Sequence, residues 1–343
     1  MTIVFRVNAN VDIGTGHFYR CFSIALALRH HHIIFLGDIQ SKDLKLRLLQ
    51  EGFKLIEIPS LEEVKNDLEA TFKTLSVYGA KSLVVDIPNL DPEWEESMAA
   101  LPIVFTLFVD RPSRQYFAKV IISPNLFVNQ NPFDSFTNRH TEVLLGPSYL
   151  LFRPEFYGLN PYTRSRGQIH SISSFFGGAD PGYQSQMILE LAMSREFSSI
   201  RFSILAGTLN PNYNQMLIEA RSFTNIEILS STRNIAKLFL DSDLAFGSYG
   251  TSGWERCLMG TPSICTIQND DQFEDAIELN RLGVAINLGY STELKYSSLH
   301  AALLGMLNDS DSLRNMSENA IRLMSSHKEH SRITLSKILG EVC

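Results

Sequence analysis

Two successive runs of short apolar segments, each alternating with helical stretches, constrain the fold of this 343-residue chain more than any other feature. The first run begins at Ile3–Val7 and the second at Ile172–Phe176, and a polar segment from Gly158 to Gln168 separates them. Strands that alternate with helices form parallel β-α-β units, and continuously apolar strands are buried on both faces. The sequence therefore predicts an α/β protein with two doubly wound, Rossmann-like domains that face each other across a cleft.

The predicted domains cover residues 1–158 and 168–343, because the polar segment between them has the composition of a linker. An alternative within this division is that the last helices of the chain pack back on the N-terminal domain. Among the predicted elements are a helix over Phe18–Arg29, a strand over Leu83–Val85 and a helix over Ser291–Leu307. We interpret His30–His32 as the polar end of the first helix, because three consecutive side chains do not face one metal ion.

The composition excludes several classes of protein. A hydrophobic content of 44% and a charged content of 20% are those of a folded chain. The net charge of −7 argues against general nucleic-acid binding, although it allows a small anionic ligand. No apolar segment has the length of a membrane span and no secretory signal is visible, so we expect a cytoplasmic protein without an integral membrane segment.

The four cysteines form no CxxC pair and show no metal-ligand spacing. We expect Cys21, Cys257 and Cys265 to be small core residues, and Cys343 to be a free terminal thiol. This pattern fits a reducing compartment. The oligomeric state is not predicted by any of these features.

The segment Ile13–Arg20, with the sequence IGTGHFYR, is the strongest candidate for a functional site. It follows a predicted strand and leads into a predicted helix, whose first N–H groups are free to bind phosphate. Gly14 and Gly16 allow the backbone to approach such a ligand closely. His17 adds the side chain best suited to move a proton near neutral pH. We predict phosphate binding by the glycines and catalysis by His17; the alternative is that His17 is only a polar cap or a surface residue.

Other polar residues follow the predicted strands of the N-terminal domain. Ligands bind beyond the carboxyl ends of the strands in such sheets, and Asp86, Asp110 and Asn125 occupy those places. Asp86 is an alternative to His17 as the catalytic base. Each of these residues could instead cap a helix or form a turn, which is the commoner role of Asp and Asn.

The C-terminal domain has two glycine-rich turns that enter helices. Gly177-Gly178 follows one predicted strand, and Gly247–Gly253 follows another; both offer backbone amides to a diphosphate. Glu255 lies about one turn inside the second helix, where it either caps local amides or accepts hydrogen bonds from a ribose diol. The glycines could equally serve only as tight turns.

Several segments together resemble the UDP-2,4-diacetamido-2,4,6-trideoxy-β-L-altropyranose hydrolase family of pseudaminic-acid biosynthesis, to which spore-coat polysaccharide proteins are related. The resemblance runs over nearly the whole chain in the same order. It is carried by the segments Arg6–Arg20, Gly146–Phe156, Phe176–Asp180, Asn234–Leu238, Ser248–Glu255 and Asn269–Gln272.

The resemblance implies the two-domain GT-B architecture of the lipid II glycosyltransferase, with UDP held by the C-terminal domain. It implies that water attacks the anomeric carbon with inversion, that His17 is catalytic, and that Glu255 contacts the ribose. The residues that it assigns to the diphosphate are Gly177, Gly178, Ser248, Thr251 and Ser252. Asn269 and Gln272 would lie near the junction of sugar and diphosphate, and we assign Asn10, Arg20 and Asn125 to the sugar. No metal or other cofactor is expected, since amide dipoles at helix starts stabilise the charge on a diphosphate without a metal.

The sequence departs from the family at three places on the sugar side. Asp86 is followed by Ile87-Pro88 where the family has polar and aromatic residues, Asp110 by Arg111 instead of a second Asp, and the first motif begins Val7–Asn10 without a Ser-Asp pair. The sequence thus predicts UDP-sugar binding more firmly than the identity of the sugar. The leading hypothesis is a UDP-sugar hydrolase; the alternatives are an inverting glycosyltransferase and a non-catalytic nucleotide-sugar binder.

Overall fold

Two parallel sheets, each flanked by helices, make up the computed structural model of the chain. It describes residues 1–10, 13–58, 64–126, 131–164, 166–178, 180, 182–207, 210–232 and 234–341. The chain divides into a first unit, Met1–Pro154 together with Ser326–Cys343, and a second unit, Glu155–Ser325.

The first unit contains a seven-stranded parallel sheet of order β3-β2-β1-β4-β5-β6-β7. Its strands are β1 (Thr2–Val7), β2 (His32–Gly37), β3 (Lys54–Glu57), β4 (Ser82–Asp86), β5 (Val104–Phe108), β6 (Val120–Ser123) and β7 (Glu142–Leu145). The connecting helices are α1 (Gly16–Ala27), α2 (Lys42–Gln50), α3 (Val64–Val77) and α4 (Pro92–Ala99).

The central strands of this sheet are apolar because helices cover both of its faces. Every residue of β4 is buried, and so is every residue of β1 after the first. Local sequence also positions the helices. Asp91 caps α4 by accepting hydrogen bonds from the backbone N–H groups of Glu93 and Trp94, and Pro92 takes the first helical position, where no N–H is needed.

The strand order of the first unit reverses between β1 and β4. The chain runs outward from β1 to β2 and β3, then crosses back to β4 on the other side of β1. Val7 and Asp86, the last residues of these two strands, are partners in the register. Such a reversal opens a crevice at the carboxyl ends of the two strands, so the turn after β1 and the end of β4 belong to one place in the fold.

A single helical turn, α5 (Pro154–Tyr157), spans the boundary of the units, and the second unit then forms a six-stranded parallel sheet of order β10-β9-β8-β11-β12-β13. Its strands are β8 (Ser171–Phe175), β9 (Arg201–Leu205), β10 (Ile226–Leu229), β11 (Leu244–Ser248), β12 (Ser263–Ile267) and β13 (Ala285–Tyr290). Its helices are α6 (Gln184–Met193), α7 (Tyr213–Ala220), α8 (Ile235–Asp241), α9 (Thr251–Leu258), α10 (Phe273–Arg281), α11 (Tyr296–Leu307) and α12 (Ser310–Leu323).

The second sheet reverses its order between β8 and β11, where Phe175 is the partner of Gly247. The loops after these two strands are the glycine-rich segments singled out from the sequence. A buried apolar cluster that includes Ile188, Phe202 and Leu303 packs between this sheet and its helices.

The last helix, α13 (His327–Leu339), belongs to the first unit. Ser82 Oγ donates to the backbone carbonyl of Ile338 at 2.9 Å, and Thr334 Oγ1 donates to that of Tyr149 at 2.7 Å. Lys337 pairs with Glu142 at 2.9 Å. These contacts dock α13 against strands of the N-terminal segment.

The predicted fold class, with two doubly wound Rossmann-like domains, is confirmed. Some boundaries differ from the sequence prediction. The helix predicted over Ser291–Leu307 is interrupted, because Leu294 and Lys295 are extended between a short 3₁₀ turn and the start of α11. Helix α1 ends at Ala27, so His32 is the first residue of β2 and not part of a helix end. Among the described residues, no helix is both long and apolar enough to span a membrane.

Candidate active site

The turn between β1 and α1 brings the segment Gly14–His17 to the carboxyl edge of the first sheet. Asn10 closes this turn, because its backbone carbonyl accepts from Gly14 N at 2.9 Å and its side-chain Oδ1 accepts from Ile13 N at 3.0 Å. Gly14 has a φ of +77°, a conformation that glycine adopts at little cost. Thr15, at the N-cap of α1, makes no side-chain capping hydrogen bond. The start of the helix therefore presents its N–H groups as predicted from the sequence.

His17, in the first turn of α1, contacts the carboxylate at the end of β4. Its Nδ1 lies 2.7 Å from Asp86 Oδ1, and it lies equally close, at 2.7 Å, to Arg20 Nη2. A neutral ring carries either a proton or a lone pair on Nδ1. We assign the proton to Nδ1, because a lone pair facing a carboxylate at this distance is repulsive, and we assign the hydrogens of Arg20 Nη2 to Asp86 Oδ1 and Asp110 Oδ2 and not to the ring. In this tautomer Nδ1–H donates to Asp86, and Nε2 keeps the lone pair of a base.

Arg20, one turn further along α1, holds Asp86 in place. Its Nε donates to Asp86 Oδ2 at 2.8 Å and its Nη2 to Asp86 Oδ1 at 2.7 Å, a bidentate arrangement. Its Nη1 donates to Asp110 Oδ1 at 2.5 Å. The assignment of Arg20 to sugar binding stays a prediction, whereas the observed hydrogen bonds direct its guanidinium to the two carboxylates.

Burial and charge act in opposite directions on this cluster. Asp86 is 2% exposed, and burial alone would raise the pKa of its carboxyl; Arg20 and His17 outweigh burial and hold that pKa below its ordinary value. Burial likewise disfavours the charge of Arg20, but Asp110 and Asp86 raise its pKa. Asp86 is therefore a charged carboxylate at neutral pH. By contrast, the side chain of His17 is 21% exposed, so its ring can reach a ligand.

The predicted sugar residues Asn10 and Asn125 lie at the same edge of the sheet. Asn10 is buried and its Nδ2 donates to Asp38 Oδ2 at 3.1 Å, so its side chain serves the turn as well. Asn125, two residues after β6, is also buried. Their contact with a sugar stays a prediction.

Glycines in the second unit let two loops pass closely at the carboxyl edge of its sheet. Gly177 has a φ of +92° and Gly207 a φ of +81°. A Cβ at Gly207 would lie 2.4 Å from the carbonyl oxygen of Gly178, so the loops after β8 and β9 are in contact. Asp180 caps α6, accepting from Gln184 N at 3.0 Å and Ser185 N at 2.7 Å. A structural role explains Asp180.

Ser248 is the last residue of β11, and the chain then enters α9 at Gly250, the N-cap, and Thr251. Gly250 has no side chain that could cap the helix, and no acidic residue lies in the first turn of α9. Ser252 and Glu255, on the first two turns of α9, are both buried. Gln272 Oε1 accepts from Gln268 N at 3.1 Å and so closes the next loop, in which Asn269 is exposed. The amide of Gln272 lies beside Gly250, since a Cβ there would be 3.5 Å from Gln272 Nε2.

The structure also shows features that the sequence reasoning did not assign. Asp110 pairs with the arginine that holds Asp86, and Arg256 is buried directly under the Ser248–Ser252 loop. The three-residue spacing of His17 and Arg20 places them on one face of a helix, a signal that could have paired them. The corresponding signal for Arg256 was a basic residue directly before the apolar Cys257. Among the described residues, no cluster of His, Cys, Asp and Glu could hold a metal ion.

No protein-family model matches the chain. Among curated proteins, the uncharacterized protein MJ1062 of Methanocaldococcus jannaschii is 24% identical in an alignment of 318 residues that covers 88% of this chain and 63% of that protein. The chain thus spans less than two thirds of the length of this relative. The UDP-2,4-diacetamido-2,4,6-trideoxy-β-L-altropyranose hydrolase of Campylobacter jejuni is 22% identical in an alignment of 302 residues that covers 86% of this chain and 100% of the hydrolase.

Solved structures show the same fold at low sequence identity. MurG of Acinetobacter baumannii is 11% identical with a TM-score of 0.63, over 97% of this chain and 98% of that one. The spinosyn forosaminyltransferase SpnP is 12% identical with a TM-score of 0.66, over 99% of this chain and 100% of that one. UDP-GlcNAc 2-epimerase from Neisseria meningitidis, bound to UDP-GlcNAc, is 12% identical with a TM-score of 0.61, over 99% of this chain and 100% of that one. The chain is therefore similar over 86% of its length to the UDP-2,4-diacetamido-2,4,6-trideoxy-β-L-altropyranose hydrolase of Campylobacter jejuni, and it has the GT-B fold of two Rossmann-like domains.

Proposed function

We propose that this chain is an enzyme that hydrolyses a UDP-linked amino sugar, releasing UDP and the free sugar for the synthesis of a nonulosonic acid or a related surface glycan. The observation that carries the proposal is the His17–Asp86 pair, in which a carboxylate fixed by Arg20 orients an imidazole at a glycine turn. This arrangement supplies a general base at a place where ligands of doubly wound sheets bind.

The reaction in this proposal is a displacement at the anomeric carbon with inversion. A water oxygen forms a bond to that carbon while the bond from carbon to the diphosphate oxygen breaks, and the bonding electrons leave with UDP. His17 Nε2 takes the proton of the attacking water. Asp86 stabilises the imidazolium that results, and it keeps the ring in the tautomer whose lone pair lies on Nε2.

The second unit is proposed to bind the UDP moiety. Its two glycine-rich loops, Gly177-Gly178 and Ser248–Ser252, lie at the carboxyl edge of the sheet on either side of the strand reversal. Backbone N–H groups at a helix start bind phosphate and stabilise the charge that develops on a departing diphosphate. Glu255 is proposed to accept hydrogen bonds from the ribose hydroxyls, and Asn269 and Gln272 to contact the sugar–diphosphate junction.

Two of the similar proteins support this assignment. The Campylobacter jejuni relative is a hydrolase of a UDP-linked diacetamido sugar, and the Neisseria meningitidis structure of the same fold binds UDP-GlcNAc. A cytoplasmic location is part of the proposal, because the buried cysteines of the described residues are free thiols.

Release of UDP from UDP-2,4-diacetamido-2,4,6-trideoxy-β-L-altropyranose, measured without an acceptor, tests the proposal. We expect turnover by the wild type, its loss in His17→Ala, and its retention in His30→Ala, a matched control at an exposed histidine of the same unit. Absence of UDP release from this and other UDP-amino sugars would refute hydrolysis. If UDP still bound, the inverting glycosyltransferase would become the better proposal. Tight binding of a UDP-sugar without turnover, unchanged by His17→Ala, would favour the non-catalytic binder.

A further inference from the structure

Arg256 is among the largest side chains that are fully buried, with 1% of its surface exposed. It lies on α9, immediately after Glu255, and its guanidinium reaches back under the loop that enters this helix. Nη2 donates to the backbone carbonyl of Ser248 at 2.6 Å, and Nη1 lies 3.5 Å from Ser252 Oγ. One side chain thus contacts both ends of the Ser248–Ser252 loop.

The same guanidinium ties this loop to the neighbouring strand. Nε donates to Ser263 Oγ at 3.1 Å, and Nη2 lies 3.2 Å from Cys265 Sγ, both on β12. The backbone makes room for it at Gly247, where a Cβ would lie 2.4 Å from Arg256 Nη1. The glycine at the end of β11 is therefore required by the buried arginine as well as by the tight approach of the strands.

The charge of Arg256 has no negative hydrogen-bond partner among the residues that the structure describes. Its hydrogen bonds go to a carbonyl, two hydroxyls and a thiol, and none of the described carboxylates pairs with it. The adjacent thiols and phenol do not supply a negative charge either. Burial raises the pKa of Cys257 to about 12 and also raises the pKa of Cys265 and Tyr249, although Arg256 acts in the opposite direction on all three.

A buried cation without an anion is costly, because arginine stays protonated and its charge is removed from water. Anything that brings negative charge to the loop lowers this cost. The loop already offers uncapped backbone N–H groups at Gly250 and Thr251, which attract anions for a separate reason.

We infer that Arg256 is a positioning residue of the proposed nucleotide site: it holds the Ser248–Ser252 loop, and from inside the protein it supplies the positive charge that a nucleoside diphosphate bound at this loop neutralises. The inference rests on the proposed function, and it adds that affinity for the diphosphate, more than affinity for the nucleoside, depends on a residue that does not touch the ligand.

Binding of UDP and of uridine, measured by calorimetry, tests the inference. We expect Arg256→Met to weaken UDP binding about tenfold or more, because one partly screened positive charge near the diphosphate is lost. The same substitution should change uridine binding much less. Arg256→Lys, which keeps the charge, should recover part of the loss. Arg166→Met is the matched control: Arg166 is an equally buried arginine of the same unit, and it donates to Ser242 at the opposite end of β11.

A second pair of variants keeps Arg256 and changes only its charge balance. Cys265→Asp places a carboxylate beside Nη2 and should weaken UDP binding about tenfold, whereas the near-isosteric Cys265→Ser should leave it unchanged. This pair decides the question if Arg256→Met does not fold. A wild type that binds neither UDP nor pyrophosphate refutes the proposed function and the inference with it. A wild type that binds UDP, with variants that keep the wild-type ratio of UDP to uridine affinity, overturns the inference alone.

Discussion

Asp86→Asn removes one charge from the His17–Asp86–Arg20 cluster while it preserves the shape of the side chain. Three groups lose the negative charge of their acceptor: Arg20 Nε at 2.8 Å, Arg20 Nη2 at 2.7 Å and His17 Nδ1 at 2.7 Å. Removing one partner of a buried ion pair typically costs about 3–5 kcal/mol, because the other charge is left uncompensated. Arg20 retains Asp110, so we expect the lower end, about 3 kcal/mol.

The loss of stability should be confined to the first unit, and the chain offers a means of seeing it. Of its two tryptophans, Trp94 lies in the first unit and Trp254 in the second. In a Trp254→Phe background, fluorescence follows the unfolding of the first unit alone. A loss of about 3 kcal/mol should lower the urea midpoint of this transition by about 1 M or more, given the usual dependence of unfolding free energy on urea.

The same substitution should reduce the rate of UDP release by about a thousandfold or more, because an amide no longer holds His17 in the tautomer with a basic Nε2. Asp110→Asn is the matched control. It removes a carboxylate from the same arginine, but Asp110 is 26% exposed and does not contact His17. We expect it to cost about 1 kcal/mol and to have a much smaller effect on turnover. If Asp86→Asn matched Asp110→Asn in both assays, the proposed role of Asp86 would be wrong.

Three further predictions concern the backbone, pH dependence and the thiols. Gly14 and Gly52 both have a φ near +75° and free space at Cβ, so Gly14→Ala and Gly52→Ala should each destabilise the first unit by about 1 kcal/mol. Only Gly14→Ala should reduce UDP release. Burial lowers the pKa of His327, whose Nδ1 donates to the Ser148 carbonyl. As pH falls below the usual value of 6.5, His327 is therefore protonated in the unfolded chain before it is protonated in the folded chain. The urea midpoint of the first unit should therefore fall with pH in that range, and the slope should be smaller in His327→Gln. In the native protein, a thiol reagent such as DTNB should leave three cysteines unmodified until urea is added, since burial raises the pKa of each: Cys21, Cys257 and Cys265.

The fold followed from the sequence because its signal is local and repeated. Each buried strand is a short apolar run, and the strand predicted over Ile3–Val7 corresponds to β1, Thr2–Val7. The rule that ligands bind beyond the carboxyl ends of parallel strands then selected Gly14, His17 and Asp86 without knowledge of the strand order. The break near Leu294 was not predicted, because the segment Ser291–Lys295 contains neither Gly nor Pro.

The contacts within the site were less accessible to sequence reasoning. That His17 touches Asp86 depends on β4 lying beside β1, and many strand orders are compatible with the same alternation. Arg20 could be placed on the face of α1 that carries His17, but its turn inward depends on two carboxylates from β4 and the loop after β5. Arg256 shows the same limit, because its partners come from two stretches of chain, the Ser248–Ser252 loop and β12.

The charges at the two strand reversals differ, and this difference bears on which group each unit can bind. Beside the Gly14–Gly16 turn, one arginine faces the two carboxylates of Asp86 and Asp110, so the local balance is negative. Beside the Ser248–Ser252 loop, Arg256 hydrogen-bonds to a carbonyl, two hydroxyls and a thiol and to no carboxylate of the described residues, so its positive charge is not paired. In a chain with a net charge of −7, a diphosphate is attracted only where the local charge favours it. The assignment of Gly14 and Gly16 to phosphate is therefore the weaker of the two diphosphate predictions. A negative site suits instead an anomeric carbon that gains positive charge as its bond to the leaving group breaks, which is the charge that a hydrolase must stabilise.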